Sequence, residues 1–275
     1  VQSCSSMAAA TFTSLGVTML LAAVAGRGLC QENSEHGGIS RQVDAAVGDV
    51  VGCYPKVMVL GMPKAGTTSL HEAFKSAGLN SVHWSLPVGE GLDMVEEDRL
   101  LMLMQKEIDR RLVARLVWRA HSEGLPPFAY LPKEIDALAE MNGMVFDDEL
   151  GAWGYFPQMS LLETIFDTYP NASYILNVRN MTRWVKSVTE FLRMRDRMTM
   201  SELHNLPRGV GDKDEDFVPW VENHHERLLE EARRRNIRLL VFDIEKHGAK
   251  ELSDFLGLDV TWGQHNCMSS IPYTI

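Results

Sequence analysis

The stretch 56-KVMVLGMPKAGTTSLHEAFKSAG-78 decides the fold. Its apolar run, Val57 to Leu60, stops at Gly61, the pattern of a short strand buried on both faces. Beyond Thr67, the residues Leu70, Ala73, Phe74 and Ala77 recur at helical spacing, and Gly78 closes the segment. A strand, a Gly-bounded turn and a helix N-terminus together make an anion site. The N–H groups of the first helical turn have no internal partner, and the helix dipole is positive there. Gly61 and Gly66 let the backbone turn and approach a ligand closely, while Thr67, Thr68 and Ser69 add hydroxyl donors. The stretch almost fits the phosphate-loop pattern GxxxxGK[ST], in which the Lys reaches the β- and γ-phosphates and the hydroxyl holds Mg²⁺. Here Thr67 stands where that Lys belongs, and Lys64 lies three positions earlier. Phosphate binding is therefore expected, and ATP-driven chemistry is disfavoured.

Further along the chain, strand-like and helix-like segments alternate. The predicted strands are 80-NSVHW-84, 143-GMVFDDE-149, 172-ASYILNVRN-180 and 237-IRLLVFDI-244. The predicted helices are a Leu/Met-rich segment over about 96–121, then 131-LPKEIDALAEM-141 with Pro132 near its first turn, and 156-FPQMSLLETIFDTYP-170. Three more follow: 182-TRWVKSVTEFLRMR-195, one within 216-DFVPWVENHHERLLEEARRR-235, and 248-GAKELSDFLGL-258. Alternation of this kind predicts an α/β fold, P-loop NTPase-like, with a parallel β-sheet flanked by helices on both faces. Ligands in such folds sit beyond the C-terminal ends of the strands. Three chemically suggestive segments fall there: 61–69, 147–149 and 179–187.

The first part of the chain reads differently. Met7 to Ala25 carries no charge and ends in Ala23-Val24-Ala25 before Gly26, an A-x-A-like cleavage site. Residues 1–26 are read as a signal peptide or a signal anchor. Cleavage is favoured, because the nearest basic residue, Arg27, follows the apolar run rather than preceding it. Polar, Gly-rich residues 27–54 form a linker or stem, and residues 55–275 form the domain. This organisation implies the secretory pathway, in the Golgi lumen or as a secreted protein, with no membrane contact beyond a possible anchor. Disulfides would be permitted there, and the pairing among Cys30, Cys53 and Cys267 is left open. No metal site is expected, because no CxxC or Cys/His ligand spacing occurs.

The formal charge of −10 argues against nucleic acid and against an extended polyanionic glycan as partners. A small anion needs only a few local cations and backbone N–H groups, so it remains compatible. Such cations occur at the end of the fourth strand, where Arg179 supplies a planar, permanently charged fork and Ser187, in the following helix, a short hydroxyl donor.

These two segments carry a resemblance. "PKAGTTSL", Pro63 to Leu70, resembles the 5′-phosphosulfate loop of sulfotransferases that use 3′-phosphoadenosine 5′-phosphosulfate (PAPS), in which the loop Lys also precedes the Gly. "YILNVRNMTRWVKSV", 174–188, is similar to the family's 3′-phosphate motif: an Arg at a strand end, a Ser eight residues later, and Trp after Arg-x-x-x-Arg/Lys, here Arg179, Ser187 and Trp184. The resemblance covers roughly residues 56–260 and implies PAPS as donor without a metal. It places Lys64, Ala65, Gly66, Thr67, Thr68, Ser69, Arg179 and Ser187 on the nucleotide, with Lys64 also assisting the leaving phosphate. Transfer to a hydroxyl or amine also needs a base. Members of the family use a His or a carboxylate, which points to Asp148, Asp147 or His83. Asp147 and Asp148 are read as ending the third strand, where adjacent side chains face opposite ways and only one serves. The acidic balance favours a neutral glycan, a small alcohol or a peptide as acceptor. A P-loop nucleotide kinase and a non-catalytic nucleotide-binding domain are the alternative readings. Adjacent His224 and His225 lack metal-pair spacing and are read as a solvated helix face. Asn171 and Asn180 each begin a glycosylation sequon; Asn180 lies within the proposed phosphate site and is expected to stay unmodified.

Overall fold

The apolar run at Val57 becomes the middle strand of a five-stranded parallel sheet. In the computed structural model, which describes residues 55–87, 111–147 and 151–263, β1 (Val57–Val59) is almost wholly buried. It lies between β3 (Ala137–Leu138) and β6 (Ser173–Val178). Outside these run β2 (Ser81–Val82) and β7 (Leu239–Asp243), giving the order β2-β3-β1-β6-β7 with every neighbour parallel. Alternate side chains of the strands divide between two cores, as the period of two requires. Met58, Leu138, Tyr174 and Leu176 enter one, with Val113, Ile165, Phe166 and Leu228 from the helices on that face. Val57, Val59, Ala137 and Ile175 enter the other, with Leu70, Phe74, Leu252 and Leu256. The first face is covered by α2 (Val113–Ser122), α4 (Leu162–Thr168) and α7 (Asp214–Arg234), and the second by α1 (Thr67–Ser76) and α8 (Ala249–Leu256). The fold is the expected α/β sandwich with helices on both faces.

Four predicted elements differ: 131–141, 143–149, 156–170 and 182–195. Residues 131–141 were expected to be helical, yet they form a turn and then β3. The Ala, Leu and Glu content favours a helix, but tertiary context overrides propensity. Ala137 and Ala139 donate backbone hydrogen bonds to Asn80 and Val82 carbonyls, and the Asp136 carbonyl accepts from Lys56 and Val57. The chain is thus gripped from both sides, and the small side chain of Ala137 suits a position where the sheet is covered on both faces.

The segment 143–149 was expected to be a third parallel strand. Instead β4 (Gly143–Asp147) pairs antiparallel with β5 (Gly151–Tyr155) in a separate two-stranded sheet. Only three residues separate Asp147 from its register partner Gly151, enough for a hairpin and far too few for a parallel crossover. The helix expected over 156–170 is broken into α3 (Pro157–Ser160) and α4. After β6 come α5 (Met181–Glu190) and α6 (Met194–Met200).

A third apolar cluster sits under the Gly61–Gly66 loop. Met62 and Ala65 pack there with Phe156, Trp184, Phe217 and Trp220, drawn from α5, α7 and the start of α3. The described residues all fall within one compact unit, Glu32–Ile275. No helix among them is long and apolar enough to cross a membrane. The uncharged run Met7–Ala25, the linker, and Cys30, Cys53 and Cys267 lie outside the described residues.

His224 corrects a further expectation. It is 3% exposed, and its Nε2–H donates to the Leu60 carbonyl at 2.9 Å, tying α7 to the end of β1. Helix α7 is half-wrapped by the core, so the side expected to be solvated is buried. Burial pulls the His224 pKa from 6.5 down to about 4. The unfolded chain therefore binds a proton near pH 6.5 that the native chain refuses until about pH 4, and this residue's stabilisation is complete above pH 6.5 and lost as pH falls towards 4. Its share is about 3 kcal/mol at 1.4 kcal/mol per pH unit. Urea unfolding of wild type and His224→Gln at pH 7 and pH 4.5 should show the wild type losing more stability than the variant over that range; equal losses would remove His224 from the account.

Candidate active site

The turn after β1 is shaped from outside by side chains that hold its carbonyls. Asn177 on β6 donates from Nδ2 to the Ala65 carbonyl at 2.8 Å and to Met62 at 3.4 Å. Trp184 on α5 donates from Nε1 to Pro63 at 2.8 Å, Arg179 from Nη1 to Lys64 at 3.1 Å, and Gln158 on α3 from Nε2 to Gly61 at 3.3 Å. Gly61 is obligatory here: a Cβ would lie 2.2 Å from Asn177 Oδ1 and 2.4 Å from the Asn177 carbonyl. Lys64 has φ 63° and Gly66 φ 83°. The left-handed region costs an L-residue such as Lys64 about 1–2 kcal/mol, which the Arg179 and Trp184 hydrogen bonds on either side of its peptide offset.

This geometry leaves the mouth of α1 open. Its first internal bond runs from Leu70 N–H to the Gly66 carbonyl, and no side chain caps the helix. The N–H groups of Thr67 and Thr68 have no intrahelical partner, and no acid lies in the first turn to compete with an anion.

Around this mouth the parallel strands deliver their C-terminal residues, as the fold rule requires. His83 follows β2, Glu140 follows β3, the Lys64 loop follows β1, and Arg179 follows β6. Thr67, His83 and Glu140 form a closed triangle. Thr67 Oγ1 donates to Glu140 Oε2 at 2.5 Å, His83 Nε2 lies 3.1 Å from the same oxygen, and His83 Nε2 lies 2.9 Å from Thr67 Oγ1. Asn142 Nδ2 donates to the other carboxylate oxygen at 3.1 Å. Burial pushes the Glu140 carboxyl up, but His83 and the hydrogen bonds from His83, Thr67 and Asn142 outweigh it and hold the pKa below the ordinary value. An ionised Glu140 only accepts, so His83 Nε2 carries a proton, which leaves Nδ1 as the ring's acceptor position in that tautomer. Behind it, His71 stacks on the His83 ring at 5.8 Å and bonds Ser81 Oγ through Nδ1.

A cavity of about 320 Å³ opens against this triangle. Lys64, Thr67, Thr68, His83 and Glu140 line it together with Trp84, Met144, Phe191, Leu192 and Arg197. Lys64 Nζ lies 3.4 Å from the centroid of the Phe191 ring. Burial lowers its pKa below the ordinary lysine value; Glu140 opposes that shift and Arg179 adds to it.

Of the expected site residues, Lys64, Thr67, Thr68 and His83 meet in the cavity. Ala65 and Ser69 are buried beneath the loop, and Gly66 makes its turn. Arg179 reaches the loop from β6 and shares the Glu245 carboxylate with Arg183, at 3.6 and 3.1 Å. Ser187 lies one turn after Trp184 on the same face of α5, 7% exposed. Asn180 Oδ1 caps α5 by accepting from Arg183 N–H. Asp147 ends β4 at the hairpin rather than a strand of the central sheet, and Asp148 lies outside the described residues. Glu140 was missed because its segment was read as a helix. The signal available was an acid two residues past a short apolar run, ahead of Gly143.

Residues 56–266, which span every element from β1 to α8, match the family model of the sulfotransferase domain. No curated protein matches the chain. With the phosphate-loop strand, the helix mouth and the match extending over the whole sheet, the chain belongs to the sulfotransferase domain family, enzymes that transfer a sulfuryl group.

Proposed function

We propose that the sulfuryl donor is PAPS, with its 5′-phosphosulfate on the Lys64 loop and its 3′-phosphate between Arg179 and Ser187. The observation that carries this reading is the uncapped mouth of α1, with Lys64 beside it and Arg179 bonded to the Lys64 carbonyl. One residue pair thus links the two phosphate positions through a single peptide. Arg179 Nε makes no hydrogen bond and lies 3.6 Å from Glu245 Oε1, so a phosphate oxygen would compete with that carboxylate for the guanidinium.

In the proposed reaction an acceptor hydroxyl or amine attacks the sulfur in line. A new bond forms from sulfur to the acceptor atom, and the bond from sulfur to the bridging phosphate oxygen breaks. Lys64 donates a hydrogen bond to that oxygen as its charge grows. The acceptor proton passes to His83, whose Nε2–H is held by Glu140. The products are a sulfated small molecule or glycan and adenosine 3′,5′-bisphosphate. The uncharged Met7–Ala25 run supports placing this reaction in the lumen of the secretory pathway.

Calorimetry with adenosine 3′,5′-bisphosphate tests the donor. Binding without added Mg²⁺ is expected, and Arg179→Ala should weaken it by roughly 10- to 100-fold, the loss of about 1.5–3 kcal/mol for bonds to a charged group. Absence of binding to the folded wild type would overturn the proposal; binding without transfer to any acceptor would identify a non-catalytic domain.

A further inference from the structure

Helix α6 carries two arginines and Arg193 stands at its N-cap; two of the three are matched. Arg193 Nε bonds Asp196 at 2.6 Å, and Arg195 Nη1 bonds Asp214 at 2.7 Å. Arg197 has no carboxylate partner among the described residues, and its Nε is buried with no hydrogen bond. Arg197 lines the same cavity as Lys64. Met144, Phe191 and Met194 line it too, with Trp84 and Leu192 exposed. Burying a cation without a partner is costly, and apolar neighbours give it no compensation. Burial lowers the Arg197 pKa with no neighbouring charge to oppose it. Exposed aromatic and aliphatic side chains beside a cavity mark a surface that meets a ligand.

We infer that Arg197 is the anion-binding point of the acceptor subsite, and that the acceptor is a hydroxylated molecule with an apolar body and one anionic group. The apolar body meets Met144, Trp84 and Leu192, the anion pairs with Arg197, and the hydroxyl is left beside Lys64 and His83. The overall charge of −10 favours a neutral glycan, a small alcohol or a peptide. The local field differs, because Glu140 is already engaged by His83, Thr67 and Asn142 while Arg197 is not. This inference rests on the proposed sulfuryl transfer at the same cavity.

The test compares a hydroxy acid with its amide, in an aromatic pair (3-(4-hydroxyphenyl)propionate) and an alkyl pair (12-hydroxydodecanoate). Calorimetry is run on wild type and Arg197→Met, with and without saturating adenosine 3′,5′-bisphosphate. In at least one pair the acid should bind wild type about tenfold or more tightly than the amide, as expected for one charge-assisted contact. Arg197→Met should abolish that preference and leave bisphosphate affinity unchanged. Equal affinities of acid and amide in both pairs, or no binding of either, would overturn the acceptor assignment. So would a loss of bisphosphate affinity in Arg197→Met, which would move the residue to the donor. Failure of wild type to bind the bisphosphate, with the acid preference intact, would count against the PAPS proposal alone and leave the Arg197 subsite standing.

Discussion

Lys64→Ala is expected to lower the rate of sulfuryl transfer by about 10³-fold, the loss associated with removing one preorganised donor from a developing oxyanion. The backbone at Lys64 is fixed independently of its side chain, because Arg179 holds its carbonyl and Trp184 holds the preceding one. Alanine meets the same left-handed penalty as lysine at φ 63°, so the loop should keep its form. The ammonium is poised by the Phe191 ring at 3.4 Å and by burial that lowers its pKa. A lowered lysine pKa has a definite sign: the group loses its proton, and its use as a donor, at a lower pH than an ordinary lysine near 10.4. The alkaline limb of the rate profile should therefore fall below that value. Lys64→Arg, which stays charged throughout, should move the limb upward even if its rate is poor. Steady-state rates and bisphosphate binding measured together make the check. A variant that transfers normally, or one that loses rate only in proportion to nucleotide affinity, would remove Lys64 from the reacting bond.

Lys64 was legible because everything that defines it is local. A strand, two glycines and a helix N-terminus lie within about twenty residues, and the displaced Lys is visible by counting. Arg179 was legible for the same reason, as the end of a continuous apolar strand. Glu140 was not. Its strand has only two residues in the ladder, Ala137 and Leu138, and those are good helix formers. What makes them a strand is Asn80 and Val82 on one side and Lys56 and Val57 on the other, contacts between segments roughly 55–80 positions apart that no local pattern records. The hairpin at β4–β5 misled in the opposite way. Its apolar run, Met144 to Phe146, correctly signalled a strand, but the acids at its end took the role of a sheet terminus that belongs to β3. His224 failed because α7 is buried along a wider arc than its charged sequence suggests, with Leu60 accepting the one proton the ring can give.

The same misplacement sets the second large effect. Glu140→Gln is expected to reduce turnover by about 10²–10⁴-fold, the range for disabling a general base, while leaving bisphosphate affinity within a few-fold of wild type. The carboxylate itself is a poor proton acceptor. Burial favours its neutral form, yet His83, Thr67 and Asn142 together hold it ionised below the ordinary glutamate pKa. A group that keeps its charge so firmly is better suited to steady a neighbour than to take the proton. In the proposed reaction Glu140 holds the Nε2–H tautomer of His83 and offsets the charge that the ring gains with the acceptor proton. Glutamine keeps the shape and loses the charge, and its amide can offer N–H as well as C=O to the ring, so the Nε2–H tautomer is no longer enforced. His83→Ala should cost at least as much, and the double variant should cost little more than His83→Ala alone, because two residues acting as one unit do not add. Additive losses would separate them. A comparable loss in Asp148→Asn, with Glu140→Gln near wild type, would place the base on Asp148 and leave Glu140 as a brace for Thr67 at the mouth of α1.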